Sequence, residues 1–342
     1  MTESTLTRLI IKDIKKLVSA IDFSLLSNKS ILITGASGLI GTYILASLTQ
    51  ARKLSKLDFK VTITTYSEIA PYLKELMLPC DSVTKIDLAD YLKTEQLDTF
   101  DFIFHSAGYG QPGKFMINPI KTICLNSTLT AQLLGHLRRG GRFLFVSSSE
   151  VYSGLTKPPF TEEQIGTTNP QHPRACYIEG KRSGEAICSN FPPEAGTAVS
   201  ARLSLAYGPG VKFGDARVLN SFIQKSLADH QIKMLDLGDA RRTYCYVADA
   251  VEMLLKIWLF GKHKVYNVGG VSRTTIKGLA QKIGDLTKSK VLVPESGQKV
   301  TGSPEDVYSD LSLYDQEFGL PLYLNLNDGL INTINWYEEL AK

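Results

Sequence analysis

Between a short apolar run, Ile31–Thr34, and a stretch of helical character from Gly38 to about Ala51 lies Thr34-Gly35-Ala36-Ser37-Gly38-Leu39-Ile40-Gly41. A strand that must turn within a few glycines and continue at once as a helix leaves few folds open. The glycines permit the tight turn and let backbone N–H groups approach a pyrophosphate at the helix amino terminus. Many βα turns carry glycines, so the loop alone is weak. The strand before it and the helix after it supply the context that a dinucleotide site requires. Gly35, Ser37, Gly38, Leu39, Ile40 and Gly41 are the candidate cofactor contacts.

Downstream the texture keeps alternating. Val61–Thr65, Val83–Ile86, Phe102–His105, Arg142–Val146 and Ala198–Leu203 read as strands, with helices from Pro119 to about Arg138 and from Cys176 to about Ser189. This spacing predicts an α/β fold, a doubly wound parallel sheet of Rossmann type. After Leu203 come a turn at Tyr207-Gly208-Pro209-Gly210, a helix over Val218–Ala228 and a strand over Lys233–Leu237. Lys264–Val268 then reads as a strand returning to the main sheet, and helices follow near Thr275–Thr287 and Asn327–Leu340. The expected division is a dinucleotide-binding domain over residues 28–204, completed by about 244–270. Residues 205–243 and 271–342 would form a smaller, interleaved substrate lobe.

At the amino terminus, residues 1–27, Leu6, Leu9, Ile10, Ile14, Leu17, Val18 and Ile21 recur at helical spacing, with Lys12, Asp13, Lys15 and Lys16 on the other face. Such a basic amphipathic helix could lie on a membrane; packing on the domain ahead of the first strand is the preferred reading. Among 342 residues, 43% are hydrophobic and 21% charged, the pattern of a soluble globular chain. A net charge of +4 is too slight and too evenly spread to argue for nucleic acid or membrane. Five cysteines, odd in number and without a C-x-x-C pair, suggest neither a disulfide framework nor a metal site, and a reducing cytoplasm is the simplest home.

A second constellation completes the first. Tyr177 and Lys181 are four residues apart and share a helix face, some thirty residues after Ser147-Ser148-Ser149-Glu150-Val151-Tyr152. A nearby ammonium favours phenolate and would lower the tyrosine pKa from about 10 toward the working pH. A tyrosine so tuned can take a proton from a substrate hydroxyl while hydride leaves the same carbon. An amphipathic helix that merely contains Tyr and Lys would look the same locally; its place after the glycine loop and the serine run gives the pair its weight. The serine run sits at the carboxyl end of a strand, where short hydroxyls face the ligand crevice. Glu150 serves as acid or base only if it faces that pocket; otherwise it is a solvated loop acid.

Cofactor choice rests on Thr65, which ends the second strand where NAD-binding chains commonly carry an acid. Tyr66 and Ser67 follow, Glu68 lies one step further on, and no arginine or lysine is adjacent to grip a 2′-phosphate, so NAD is favoured. Asp87 and Leu88 would flank the adenine, and Ser106 and Ala107 would line the path to the nicotinamide, unless each is an ordinary polar turn. Arg241-Arg242 before Tyr244 offers planar forks for phosphate or carboxylate, and Arg217 offers another.

From residue 30 to 340 the chain resembles the nucleotide-sugar branch of the extended short-chain dehydrogenase/reductases, and within it the UDP-glucuronate decarboxylases. The segments that carry this resemblance are Asn118-Pro119-Ile120-Lys121-Thr122-Ile123, Pro173-Arg174-Ala175-Cys176-Tyr177 with Glu179-Gly180-Lys181-Arg182, and Arg217-Val218-Leu219-Asn220-Ser221-Phe222-Ile223. The resemblance implies that Ser148 positions the 4-hydroxyl, that Ser149 and Glu150 manage protons around C5 and C6, and that Tyr177 is the base. It further implies that Lys181 tunes that base and anchors the cofactor ribose, and that Arg242 holds a carboxylate or the diphosphate. Ser148, Glu150, Tyr177, Arg217, Arg242 and Tyr244 would contact a nucleotide-sugar substrate, and the protein would be a homodimer. Serine at 149, where the related dehydratases carry aspartate, has no proton to give at neutral pH and disfavours dehydration. Thr65 and Ser153 depart from the family pattern, and so do Leu205 and the loop Tyr109-Gly110-Gln111-Pro112-Gly113, which would face the sugar and so point to a relative of UDP-glucuronate as substrate. The implied activity is NAD-dependent decarboxylation through a transient 4-keto sugar. A 4-epimerase or 4,6-dehydratase on the same scaffold is the alternative, and a non-catalytic NAD-binding module is the reading of another class.

Overall fold

Short runs of β-branched and aromatic residues, each followed by a helical segment, set up a layered α/β architecture in the computed structural model, which describes residues 3–66, 68–85, 98–295 and 306–342. The first six strands are β1 (Ser30–Thr34), β2 (Lys60–Thr65), β3 (Ser82–Lys85), β4 (Phe100–His105), β5 (Leu137–Ser148) and β6 (Gly196–Leu203). The later ones are β7 (Leu205–Tyr207), β8 (Gln231–Lys233), β9 (Arg241–Tyr246), β10 (Val265–Val268), β11 (Ser272–Thr275), β12 (Lys290–Leu292) and β13 (Asp306–Val307). Seven of them form one sheet, ordered β10-β6-β5-β4-β1-β2-β3, in which every neighbouring pair is parallel. The strand order reverses on either side of β1, which opens a crevice above the carboxyl ends of β1 and β4.

Period-2 alternation sorts side chains onto the two faces of this sheet. Ile31 and Ile33 join one core cluster and Leu32 the other; Phe102 and Phe104 oppose Ile103 in the same way. Trp258, from the helix Val247–Phe260, meets Phe102 and Phe104 edge-on with ring centroids 5.7 and 5.4 Å apart. The expected return of the chain to the main sheet is β10, paired with β6. A second sheet carries β11, β9 and β13, with β7 also paired to β9, while β12 pairs with β8.

Two expectations about elements are corrected. The single helix expected from Pro119 to Arg138 is two, Pro119–Asn126 and Thr128–Leu134, and β5 begins at Leu137. At the break, Ile123 O accepts both the Ser127 N–H at 2.9 Å and Ser127 Oγ at 2.8 Å, and Thr130 Oγ1 donates to Asn126 O at 2.7 Å. The strand expected over Lys233–Leu237 is Gln231–Lys233. Asp236 accepts from the Gly238 N–H at 2.9 Å, and Gly238 at φ 72° turns the chain there instead.

The amino-terminal helix, Thr5–Ser19, buries Ile10, Ile14, Leu17 and Val18 against the body, as the periodicity predicts. Asp13 was expected on the solvent face with the lysines. It turns inward instead and accepts hydrogen bonds from the hydroxyls of Tyr43 and Tyr246. Among the described residues no helix is long and apolar enough to cross a membrane.

Asp249, in the first turn of the helix Val247–Phe260, is buried and accepts from the Leu324 N–H at 3.0 Å. Burial pushes its pKa up to about 7, with the Leu324 bond opposing and Glu252 and Asp13 adding to the rise. A carboxyl whose folded pKa lies above its unfolded one stabilises the fold fully below about 3.9, and that contribution is lost as pH rises through about 7. Asp249→Asn keeps the acceptor without the charge. It should stabilise the protein by about 1–3 kcal/mol at pH 8 and change little near pH 4. Thermal melts across that range check this; a gap that fails to widen with pH would refute it.

Candidate active site

The glycine loop is built by contacts that a Cβ would break. Gly35 has φ 74°, and a Cβ there would lie 2.8 Å from Ser106 O and Ala107 N. At Gly41 a Cβ would lie 2.4 Å from Gly35 O. Gly38 occupies the N-cap of the helix Leu39–Ser55 without a side chain to cap it, so the opening amides of Leu39, Ile40 and Gly41 are directed at an incoming anion. Ser106 and Ala107 are pinned beside the loop by β1: Ser106 Oγ donates to Thr34 O at 2.8 Å and Ala107 N to Thr34 Oγ1 at 3.3 Å. Burial, with the Lys181 charge adding, pushes His105 down to about 3, which keeps its imidazole neutral between Thr34 Oγ1 at 2.7 Å and Leu125 O at 3.2 Å. The tight turn and uncapped helix start fit a dinucleotide pyrophosphate.

At the adenosine end, Thr65 is buried at the tip of β2, while Ser37 and Glu68 line one cleft together with Lys212. Sequence adjacency finds no cation here, yet the fold brings Lys121 Nζ to 4.7 Å from the centre of the Tyr66 ring. Asp87 and Leu88 lie outside the described residues.

Tyr177, Lys181 and Glu185 form a stripe at i, i+4, i+8 on the helix Ala175–Ser189. Tyr177 is half-buried, and Ser148, at the end of β5, hydrogen-bonds its phenol oxygen. Its ring stacks on Phe115 with centroids 4.7 Å apart and planes at 11°. Lys181 Nζ donates to Val146 O at 2.6 Å and lies 5.7 Å from the centre of the Tyr177 ring. The pKa directions differ from the sequence expectation. Burial pushes Tyr177 up to about 12, against the Ser148 hydrogen bond, and Glu150 adds to the rise. Burial also pulls Lys181 down to about 7, with Glu185 opposing. A desolvated ammonium near its own titration point does not hold a phenol below its usual range.

Of the serine run, Ser147 points away from the crevice and donates to Glu185, Ser148 faces Tyr177, and Ser149 is half-buried at the start of a 3₁₀ turn. Glu150, which remains partly exposed, forms an ion pair with Arg174, whose guanidinium lies 5.5 Å from the centre of the Phe115 ring. Arg242 belongs to the same electrostatic group. Burial lowers its pKa, Tyr244, Glu150 and Asp306 counteract, and Arg174 reinforces. Tyr244 sits behind Arg242, buried and edge-on to Tyr207 at 6.0 Å. Arg217 acts electrostatically on Tyr177, and Asp215 grips its guanidinium with one contact at 2.7 Å. Gln111 also donates to Asp215, at 3.1 Å, which joins the divergent loop to this side of the site. The fold thus gathers Ser148, Glu150, Tyr177 and Arg242, with Arg217 at the flank. Sequence reasoning did not assign roles to Arg174 or Phe115; only the position of Arg174 in the Pro-Arg-Ala-Cys-Tyr segment hinted at it.

Residues 31–269 match the NAD dependent epimerase/dehydratase family. The chain belongs to that family. It is an enzyme of this NAD-dependent class. Among its relatives, UDP-glucuronic acid decarboxylase 6 of Arabidopsis thaliana is 30% identical over 310 residues, covering 89% of this chain and 87% of the relative. UDP-glucuronic acid decarboxylase 1 of Xenopus tropicalis is 30% identical over 319 residues, covering 91% and 72%. Similar solved folds include an epimerase from Methanothermobacter thermautotrophicus, with TM-score 0.76, 19% identity and coverage of 97% and 96%. UDP-glucose 4-epimerase from Thermotoga maritima superposes with TM-score 0.75 at 21% identity, covering 92% and 100%.

Two outcomes are expected at this site. Tyr177→Phe should cut turnover by about 10²–10⁴-fold while the NAD dissociation constant stays nearly unchanged; retention of more than a tenth of the activity would remove the tyrosine from its role. Fluorescence titration should show NAD binding at least as tightly as NADP. NADP binding tenfold better, about 1.4 kcal/mol, would assign Lys121 or Lys212 to a 2′-phosphate.

Proposed function

We propose that the protein decarboxylates a nucleotide sugar related to UDP-glucuronate through a transient 4-keto intermediate. The arrangement that supports this reading is the set of charges beside Tyr177. Glu150 is paired with Arg174 while Arg242 acts on the same carboxylate, so two guanidiniums surround one acid next to the proton-transfer residue. Planar guanidiniums grouped beside the proton-transfer residue suit a ligand that brings a carboxylate of its own.

In this reading Ser148 holds the sugar 4-hydroxyl and Tyr177, once it is in its phenolate form, takes the hydroxyl proton. NAD, when bound, supplies the hydride acceptor. Once C4 is a ketone, the electron pair of the C5–C6 bond can move toward the carbonyl as carbon dioxide departs, and Glu150 manages the proton that returns to C5, with the Ser149 hydroxyl beside it as a hydrogen-bond partner. Arg242 holds the carboxylate until it leaves. Return of the hydride to C4 leaves no net redox change. The relatives named UDP-glucuronic acid decarboxylase support this over the alternatives, and Ser149, with no proton to give at neutral pH, disfavours loss of water.

Mass spectrometry of products from a panel of nucleotide sugars separates the readings: loss of carbon dioxide, loss of water or unchanged mass. If Arg242 holds a carboxylate, the contact contributes about 1.5–3 kcal/mol. Arg242→Ala should then weaken a uronic-acid ligand more than the uncharged hexose bearing the same nucleotide. Glu150→Gln should let reduced cofactor build up during turnover, visible by absorbance. Equal losses for both ligands, with no such build-up, would put the epimerase reading ahead.

A further inference from the structure

Phe115 joins the two proton-handling groups of the site. It ends the short helix Pro112–Phe115 after β4 and is buried to 1% exposure. The Tyr177 ring stacks on it, and the Arg174 guanidinium that pairs with Glu150 lies over the same ring. Its backbone is held from both neighbouring helices: Thr122 Oγ1 donates to Phe115 O at 3.4 Å and Cys176 Sγ at 3.6 Å. A ring stack and a cation–π contact each favour a narrow range of partner orientations. Here one ring imposes both restrictions, on the tyrosine directly and on Glu150 through Arg174.

We propose that Phe115 is a positioning residue that sets Tyr177 and the Arg174–Glu150 pair as a single unit, so that the base and the acid are aligned together. The inference rests on the reading of Tyr177 as the base. Without the ring, Tyr177 gains freedom and water on one face, and Arg174 loses the surface that aims it at Glu150. Misplacement of a catalytic group by about 1 Å can cost on the order of 10²-fold in rate.

The test uses the full chain saturated with NAD, with UDP-glucuronate as substrate and four variants: Phe115→Leu, Phe115→Tyr, Arg174→Gln and the double variant Phe115→Leu/Arg174→Gln. Phe115→Leu should lower kcat by about 10–100-fold, with KM and the NAD dissociation constant moving less than about threefold. Phe115→Tyr, which keeps the stack, should restore at least about a third of the wild-type kcat. The double variant should lose far less than the product of the single losses, as expected for residues acting through one unit.

A second readout needs no turnover. In ¹³Cζ-tyrosine spectra, the resonance missing from Tyr177→Phe reports Tyr177, and in Phe115→Leu its titration midpoint should fall from about 12 toward the ordinary value of about 10. An unchanged midpoint, a kcat loss in Phe115→Tyr equal to that in Phe115→Leu, or fully multiplicative losses would overturn the proposal. If the wild type turns over no carboxylated nucleotide sugar, the decarboxylase reading fails on its own, and the midpoint alone decides the role of Phe115.

Discussion

The buried ion pair between Arg202 on β6 and Glu185 on the helix Ala175–Ser189 fixes where the reactive residues can stand. Arg202 Nη2 meets Glu185 Oε2 at 2.8 Å, and its Nε contacts both carboxylate oxygens. The remaining donors of the guanidinium reach the Tyr152 hydroxyl and the carbonyls of Glu162 and Gln164. Ser147 donates to the same carboxylate from β5, and Tyr152 in turn donates to Asn267 Oδ1 on β10 at 2.7 Å. Three parallel strands and the helix that carries Tyr177 and Lys181 are therefore tied at one point. Breaking such a pair by removing one partner costs about 3–5 kcal/mol, because the other charge is left buried. Since Glu185 is two helical turns below Tyr177, any slip of the helix on the sheet would shift the tyrosine from Ser148.

Above this anchor, burial outweighs charge. Lys181 is close enough to Glu185 to feel it, yet desolvation prevails and its pKa falls to about 7. Its ammonium is directed at a backbone carbonyl and lies over the Phe145 ring at 4.7 Å. Tyr177, stacked on Phe115, is held protonated. A phenol acts as a base only as its phenolate, so Tyr177 must give up this proton before it can accept one from a substrate hydroxyl, and burial of the empty site opposes that loss.

The doubly wound sheet was legible because its signal is local: each strand is a short apolar run, and the glycine loop states its own geometry. The stripe Tyr177–Lys181 was legible for the same reason, since helical spacing alone puts both on one face. The helix break at Ser127 was not, because no glycine or proline marks it; only side-chain bonds from Asn126, Ser127 and Thr130 to backbone carbonyls accompany it. Nor was the fate of Glu150. Its partner Arg174 lies 24 positions away, across a loop whose path no periodicity encodes. The direction of the Tyr177 shift was misjudged for a related reason: proximity in sequence reveals the neighbouring cation, but the depth of burial that outweighs it exists only in the fold. Lys121 beside Tyr66 is likewise a product of the crossover between strands.

The amino-terminal helix has a part in this geometry that its amphipathic pattern did not announce. Asp13 accepts from Tyr43, on the helix that the glycine loop opens, and from Tyr246, at the end of the strand that begins Arg241-Arg242. Asn332, from the helix Leu326–Leu340, donates to the Tyr246 hydroxyl at 3.1 Å. Burial raises the Asp13 pKa while both tyrosine hydroxyls oppose it, so the carboxylate is tolerated at that depth because two hydroxyls solvate it. Charge-assisted bonds of this kind contribute about 1.5–3 kcal/mol each, enough to offset much of the desolvation. One acid thus bridges the helix at the cofactor loop and the strand that bears Arg242, elements separated by some two hundred residues of chain. Asp13 thereby ties the helix opened by the glycine loop to the strand that bears Arg242.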